Sequence, residues 1–430
     1  MPLPLNESEE INLASVVEIV YPTCCGIDVH KNFLVACIAK TDERGHTDHL
    51  MRRFSTNTGD LRRLADWLAI HNCKDVCMES TGKYWIPVFN ILEKTCNVCL
   101  THPKYVKAIK GKKTDKKDAK WLAELFKCDL VRASFIPPFD IRQLRDLCRY
   151  HAKLTYMVTS EKNRSQNCLT TCNFKLDAVF SDVFGKSASS ILDNLIALGH
   201  SNFDVAPLLD RRCKASIEEI SAALDGELSY AQSEKLKIIR KHMENLENLK
   251  DRLESLIYTL SVKYQPEITL LLSVPGISSP LTAIRILAEI GTDMSVFETA
   301  KKLCSWAGVT PQNNESAGKK KTTRISRAGA FLKPLLVQIA LAVSKSTKHP
   351  EIKDKYQALK KRRGHKKAII AIARRLLTAI WHIISKLEPY NADLYRTADK
   401  PPVERVLTPE QAFALLRSKG YQIVSHEQAS

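Results

Sequence analysis

What this chain has too little of narrows it first. Its most apolar late run, Ala368 to Ile384, is broken by Arg374 and Arg375, so it reads as a buried or groove-lining helix, and no membrane partner is expected. Residues 1–20 carry Glu7, Glu9, Glu10 and Glu18 and lack a basic leader, which predicts no secretory signal and a cytoplasmic protein. The thirteen cysteines, an odd number, show no pair-of-pairs spacing of the kind that holds zinc. Several lie in or beside apparent strands, at Cys24-Cys25, Cys73 and Cys77, and Cys96 and Cys99, and read as reduced, mostly buried thiols. Acid is also short: 65 Lys and Arg stand against 47 Asp and Glu, a net charge of +18. That excess favours a polyanionic partner and says nothing about fold. With 44% hydrophobic residues over 430 positions the chain is not disordered, and it is long enough for two or three domains with real cores.

The chain reads as organised around the lysine-rich stretch Thr101 to Phe126. Between Lys104 and Lys120 there are eight lysines, Lys112, Lys113, Lys116 and Lys117 among them, and the acids there are Asp115 and Asp118. Thr114 is a good N-cap, and Ala119, Leu122, Ala123 and Phe126 recur at helical spacing after it. Asp115 and Asp118 then stand at i and i+3 on one face of the first turn. Paired carboxylates suit a hard divalent cation, and the lysines around them suit phosphate. The plainer reading is a lysine-rich loop leading into a helix whose early acids favour its dipole.

Before this stretch the pattern alternates. Cys24 to Val29, Phe33 to Ala39 and His49 to Phe54 read as three strands, the last two joined by a polar loop at Thr41 to Asp48. A helix follows over Asn57 to Ile70, then a short strand Asp75 to Met78 ending at Glu79, a helix through Leu92, and a strand at Val98 to Thr101. Three early strands followed by strand–helix alternation predict a mixed α/β sheet covered by helices. Asp28 falls on the first strand, Glu79 at the end of the fourth, and Asp115 and Asp118 at the start of a later helix.

That order of acids carries a resemblance. Gly26-Ile27-Asp28-Val29-His30-Lys31, Met78-Glu79-Ser80-Thr81-Gly82-Lys83-Tyr84-Trp85 and Lys113-Thr114-Asp115-Lys116-Lys117-Asp118-Ala119 together resemble the Asp-Glu-Asp-Asp set of RuvC-like nuclease domains. In the form of its motifs the chain is similar to the insertion sequence 110 family of transposases, also described as bridge-RNA-guided recombinases. The resemblance implies an RNase H-like, RuvC-like α/β domain in which Asp28, Glu79, Asp115 and Asp118 hold Mg²⁺.

The Pro137-Pro138 pair closes this domain, since proline disfavours both the helix before it and a continuing sheet. Phe139 to about Asn167 reads as a basic helix with Arg142, Arg145, Arg149 and Lys153 along one side. A long helix is expected from about Ile217 to Tyr264, with Leu246, Leu249, Leu253, Leu256 and Leu260 as a coiled-coil seam. An antiparallel hairpin within the chain and a dimerising arm fit that seam equally. Beyond it, Val274-Pro275-Gly276-Ile277 before a helix near Pro280 resembles a helix-hairpin-helix, which offers backbone N–H groups to phosphate. A loop from Gly308 then leads through Glu315-Ser316-Ala317-Gly318 to Lys319, Lys320, Lys321, Arg324 and Arg327, cations suited to clamping a phosphate.

The family resemblance puts Ser316 on the nucleophilic serine of its C-terminal transposase domain, although Ala317 stands where two glycines usually follow that serine. The expected layout is an N-terminal tail at 1–22, a RuvC-like domain at 23–137, a helical coiled-coil middle with an insertion at 138–265, a mainly α transposase domain at 266–400, and a tail at 401–430. The expected function is cleavage and rejoining of DNA through a covalent serine–DNA bond, directed by a structured non-coding RNA, in a homo-oligomer at the prokaryotic nucleoid. A metal-dependent junction endonuclease using water, or an idle nucleic-acid-binding protein, are the alternatives.

Overall fold

A computed structural model describes residues 18–80, 82–106, 114–312, 314–316, 319–322 and 324–393, together with Glu410 and Arg417; side chains are described for all of these except Tyr105 and residues 314–316 and 319–322. The chain forms two units: one runs to Val262 and takes in Ala288–Gly291, and the other comprises Lys263–Leu287 and the residues from Thr292 onward.

The first unit is built on a five-stranded sheet. β1 (Thr23–Val29), β2 (Phe33–Thr41) and β3 (Thr47–Ser55) form an antiparallel meander. After α1 (Thr58–Ile70), β4 (Asp75–Glu79) joins the other side of β1 in parallel; α2 (Trp85–Leu92) then leads to β5 (Asn97–Thr101), parallel to β4. The order is therefore β3-β2-β1-β4-β5. β1 and β2 are the near-continuous apolar runs that strands covered on both faces require, whereas β3, at the edge, is polar and largely exposed. Alternation sorts β1 between two cores. Cys25, Ile27 and Val29 join Leu61, Leu64 and Leu68 of α1 and Val88 and Leu92 of α2. Cys24, one residue out of phase, packs on the other face with Leu122, Ala123 and Phe126 of α3 (Asp115–Lys127).

α4 (Phe139–Thr171) begins at the predicted proline stop and runs into a helical insertion of α5 (Leu176–Val179), α6 (Lys186–Leu198) and α7 (Ile217–Ala223). α8 (Tyr230–Ser261) then returns along α4. Bonds Cys168–Gln232, Glu161–His242 and His151–Glu254 climb one helix as they descend the other, so the pair is an antiparallel hairpin. The expected single helix from Ile217 is two, separated at Leu224 to Ser229: α7 starts on a capping box at Ser216 and Glu219, and α8 on the Ser229 hydroxyl.

The second unit is mainly helical: α9 (Gln265–Leu272), α10 (Pro280–Ile290, of which the residues from Ala288 belong to the first unit), α11 (Ala300–Trp306), a two-stranded ladder of β6 (Asn314–Ser316) and β7 (Lys319–Thr322), then α12 (Leu332–Lys345), α13 (Pro350–Arg363) and α14 (His365–Lys386). Among the described residues α14 is the one helix long and apolar enough to cross a membrane by length and composition. Its apolar residues Ile369, Ile372, Leu376, Leu377 and Ile380 are buried, and the helix packs against α11, α12 and α13, which makes it a core helix of this unit.

Candidate metal centre

The site begins with a glycine. On β1, Gly26 and Asp28 share a face with Cys24, the face covered by α3. A Cβ on Gly26 would lie 2.4 Å from both Ala119 O and Ala123 N, so α3 rests its backbone directly on β1 at this point. That close approach is what delivers the first turn of α3, with Asp115 and Asp118, to Asp28 at the C-terminal end of the strand. Thr114 caps the helix, accepting from Lys117 N, as its sequence predicts. Glu79 arrives by register: β1 and β4 pair in parallel up to Ile27 and Met78, so Asp28 and Glu79 are the next neighbours, and alternation from Cys77 turns Glu79 to the α3 face. A half-buried network steadies the far end of α3. Lys127 Nζ bonds Glu124 at 2.7 Å and Thr47 Oγ1 at 3.0 Å, and His49 Nε2 bonds the same carboxylate. Burial would raise the Glu124 pKa, but these donors hold the carboxyl below its usual range.

Asp28, Asp115 and a residue the sequence reading passed over converge. One ligand atom each from Asp28, His30 and Asp115 falls within 4.8 Å of the others. His30 Nε2 lies 3.2 Å from Asp28 Oδ2 and 3.4 Å from Asp115 Oδ1, and its ring stacks at 4.6 Å on Phe33. The Asp28 carboxyl is pushed above its ordinary range, chiefly by burial and further by Asp118 and Asp115, while His30 acts the other way. Negative charge is thus concentrated in a partly buried place where a cation is the natural relief. Two carboxylates and an imidazole within ligand reach, with Asp118 and Glu79 on adjoining elements, fit a divalent metal by donor type and spacing. Glu79 and Asp118 stand outside the three-residue cluster. His30 had a legible signal: it follows Asp28 by two residues, directly after the end of β1.

The other predicted residues divide. Lys116 and Lys117 are exposed on the first turn of α3, beside the acids. Lys112 and Lys113 lie outside the described residues. Arg149, expected on a nucleic-acid face, makes a two-pronged bond to the buried Glu289 carboxylate, at 2.7 and 2.8 Å, while its own side chain stays 39% exposed. Its neighbours turn inward. Arg145 donates to Ala288 O and Glu289 O, and burial lowers its pKa to about 10. Arg142 binds Pro137 O, Asn90 and Glu93. Gly276 is held by packing, since a Cβ there would meet Ile339 Cγ2 of α12 at 2.9 Å.

Ser316 ends β6 in the second unit, paired in register with Lys319 at the start of β7. Its side chain and those of Lys319, Lys320 and Lys321 are outside the described set; Arg324 and Arg327 are exposed. The base of this hairpin is well fixed. Pro311 bridges Ile325, Gln312 N donates to Arg324 O, and Lys333 Nζ donates to Ser326 O at 2.6 Å. Gly329 sits so close to the α11 end that a Cβ would lie 2.2 Å from Ala307 O.

Comparison with known proteins matches both blocks. Residues 25–174 match the model of the DEDD transposase of the IS110 type, described as "Transposase", and residues 268–357 match the "Transposase IS116/IS110/IS902 family". A stretch of 121 residues is 31% identical to the transposase for insertion sequence element IS1111A of Coxiella burnetii, covering 27% of this chain and 33% of that relative. The chain thus spans about a third of the length of that curated relative. The α/β unit with its five-stranded sheet and the mainly helical remainder are consistent with a RuvC-like DEDD domain followed by a second transposase region.

Proposed function

The chain belongs to the IS110 family of transposases, and from that premise we propose that it cuts and rejoins DNA strands during transposition of a mobile element. The observation that carries this reading is the convergence of Asp28 and Asp115, with Asp118 and Glu79 on adjoining elements, where α3 rests on β1. Asp28, His30, Asp115 and, on adjustment, Glu79 and Asp118 would hold the divalent ion, for which we propose Mg²⁺. Once bound, such an ion supplies Lewis acidity at a phosphodiester. The exposed Lys116 and Lys117 would hold the phosphate backbone beside it.

In the proposed chemistry Ser316 Oγ forms a bond to the scissile phosphorus, the deoxyribose hydroxyl leaves, and the serine proton passes to that leaving oxygen. Attack by the hydroxyl of another strand reverses these steps and frees the serine. Bond number is conserved throughout, so no nucleotide cofactor is required. Lys319, Lys320, Lys321, Arg324 and Arg327 follow Ser316 closely enough in sequence to neutralise the negative oxygens of the five-coordinate phosphorus that forms in the transfer. A structured RNA, held by the lysine-rich segment, would select the sites by base pairing.

The test is whether a protein–DNA adduct survives denaturant. Incubation with the element ends, in Mg²⁺, should give a covalent complex with the parental chain and none with Ser316→Ala, Asp28→Ala or Asp115→Ala. Strand cleavage by Ser316→Ala at the parental rate, with no adduct in either protein, would replace the serine by water.

A further inference from the structure

We propose that the corner between α13 and α14, residues 360–367, is a gripping surface for the phosphate backbone of duplex DNA. The proposal rests on the reading of the chain as a DNA transposase. The segment is Lys360-Lys361-Arg362-Arg363-Gly364-His365-Lys366-Lys367: six permanent cations, one imidazole and no acid, every residue exposed. The match to the second family model ends at residue 357, before the corner begins. None of the six cations forms an ion pair with a described residue.

The corner is built. Gly364 takes φ +81 and ψ 165, a backbone that L side chains rarely adopt, and nothing lies within 4 Å of where its Cβ would be. The glycine therefore serves the turn itself and not a packing contact. Tyr356, buried in α13, bonds His365 Nδ1 at 2.8 Å and meets that ring edge-on. Ile352 on one side and Ala368 and Ile369 on the other are buried in the unit's core, so the cations project from an anchored frame.

Its charge arrangement is what points to a ligand. Lys360 to Arg363 close α13, where cations favour the helix dipole and need no further reason. Lys366 and Lys367 open α14, at the positive end of a 22-residue helix with no acid in its first turn and no side-chain cap. There the free backbone N–H groups and both lysines repel cations together, an arrangement an anion resolves. His365, the one ring in the segment, is tied through Nδ1 to the Tyr356 hydroxyl and meets that ring edge-on, so no unengaged ring is left there to stack an unpaired base, which favours a duplex backbone over single strands. B-DNA, with one charge per ~1.7 Å of axis, matches cations so densely spaced.

The experiment uses the full chain and a fluorescein-labelled duplex of scrambled sequence, with affinity measured across salt concentration. A variant carrying Arg362→Gln, Arg363→Gln, Lys366→Gln and Lys367→Gln is compared with one carrying Arg62→Gln, Arg211→Gln, Lys214→Gln and Lys235→Gln, the same charge loss at exposed sites elsewhere. The corner variant should keep the parental melting temperature, bind at least tenfold more weakly near 0.1 M salt, and show a log–log salt slope shallower by about 2 to 4, at roughly 0.9 per phosphate released. The control should keep the parental slope. An unchanged slope, or an equal fall in the control, overturns the proposal while leaving the transposase reading intact. A loss confined to a hairpin RNA probe overturns the duplex assignment. A parental chain that binds no duplex at any salt sinks both readings.

Discussion

His30 shows how a single residue completes a site that the acids alone only sketch. Its Nε2 lies 3.2 Å from Asp28 and 3.4 Å from Asp115, so the imidazole is a candidate ligand set between the two carboxylates. Metal binding can be read without activity, from the melting temperature. A ligand at 100 times its dissociation constant adds about 2.7 kcal/mol, which raises melting by several degrees in a domain of this size. The parental chain should show that rise in Mg²⁺ or Mn²⁺; Asp28→Asn should show none, and His30→Ala should need about 10- to 100-fold more metal, the usual effect of losing a supporting ligand. The metal-free protein adds a signed check. Burial and the neighbouring acids raise the Asp28 pKa, so folding takes up a proton there, and this carboxyl's contribution to stability falls as pH rises above the ordinary carboxylate range. In EDTA, Asp28→Asn should therefore gain on the parental chain from pH 4 to pH 7. A constant difference across that range, or a metal response that survives Asp28→Asn, would remove Asp28 from the site.

Between elements, the decisive contact is α3 on β1 at Gly26. Any side chain there pushes on the α3 backbone at Ala119 and Ala123, not on a flexible tip. Gly26→Ala should cost about 1–3 kcal/mol or more, as overpacking does, and should weaken metal binding with no ligand altered, because Asp115 moves with the helix. Equal destabilisation with unchanged metal affinity would show that α3 does not set the site's geometry. The five strands, α3 and its Thr114 cap were legible because alternation, helical spacing and a capping residue are local signals. Gly26 was not, since nothing local says that a helix some ninety residues later will rest on it. The α8 seam was half legible for a related reason. Leu246 and Leu253 belong to two interleaved series of three- and four-residue steps. The expected one continues through Leu249, Leu256 and Leu260, all exposed; the one packed on α4 runs through Leu236, Ile239, Met243 and Ile257, all buried. Sequence spacing cannot choose between series that share members; the partner helix does. The partners of the α4 arginines were not legible either, because Glu93 and Glu289, which pair with Arg142 and Arg149, are distant in the chain.

At the scale of the whole molecule, the leucines left outside the α4–α8 hairpin bear on assembly. Leu249, Leu256 and Leu260 are 46%, 45% and 39% exposed, and Val262 follows at 68%. A stripe of this kind on a 32-residue helix, about 48 Å long at 1.5 Å per residue, suits a second copy of the chain. Exchange of two duplexes also needs at least two nucleophiles held together, which a symmetric assembly supplies. The acids lie in the first unit and Ser316 in the second, and we propose that one working site draws its acids from one protomer and its serine from the other. Complementation distinguishes the arrangements. A chain carrying Asp28→Ala is mixed with one carrying Ser316→Ala, each inactive alone. With sites formed in trans, the mixed dimer holds one site with both lesions and one intact site, so single-strand cleavage should return to as much as half the parental level per mixed dimer. With sites formed in cis, every site carries one lesion and cleavage stays absent. The same mixture made with Leu249→Glu and Leu256→Glu in both chains should lose the restored cleavage if the exposed stripe is what joins the protomers. Continued inactivity of the first mixture, with mixed dimers demonstrated by differential tagging, rules the trans arrangement out.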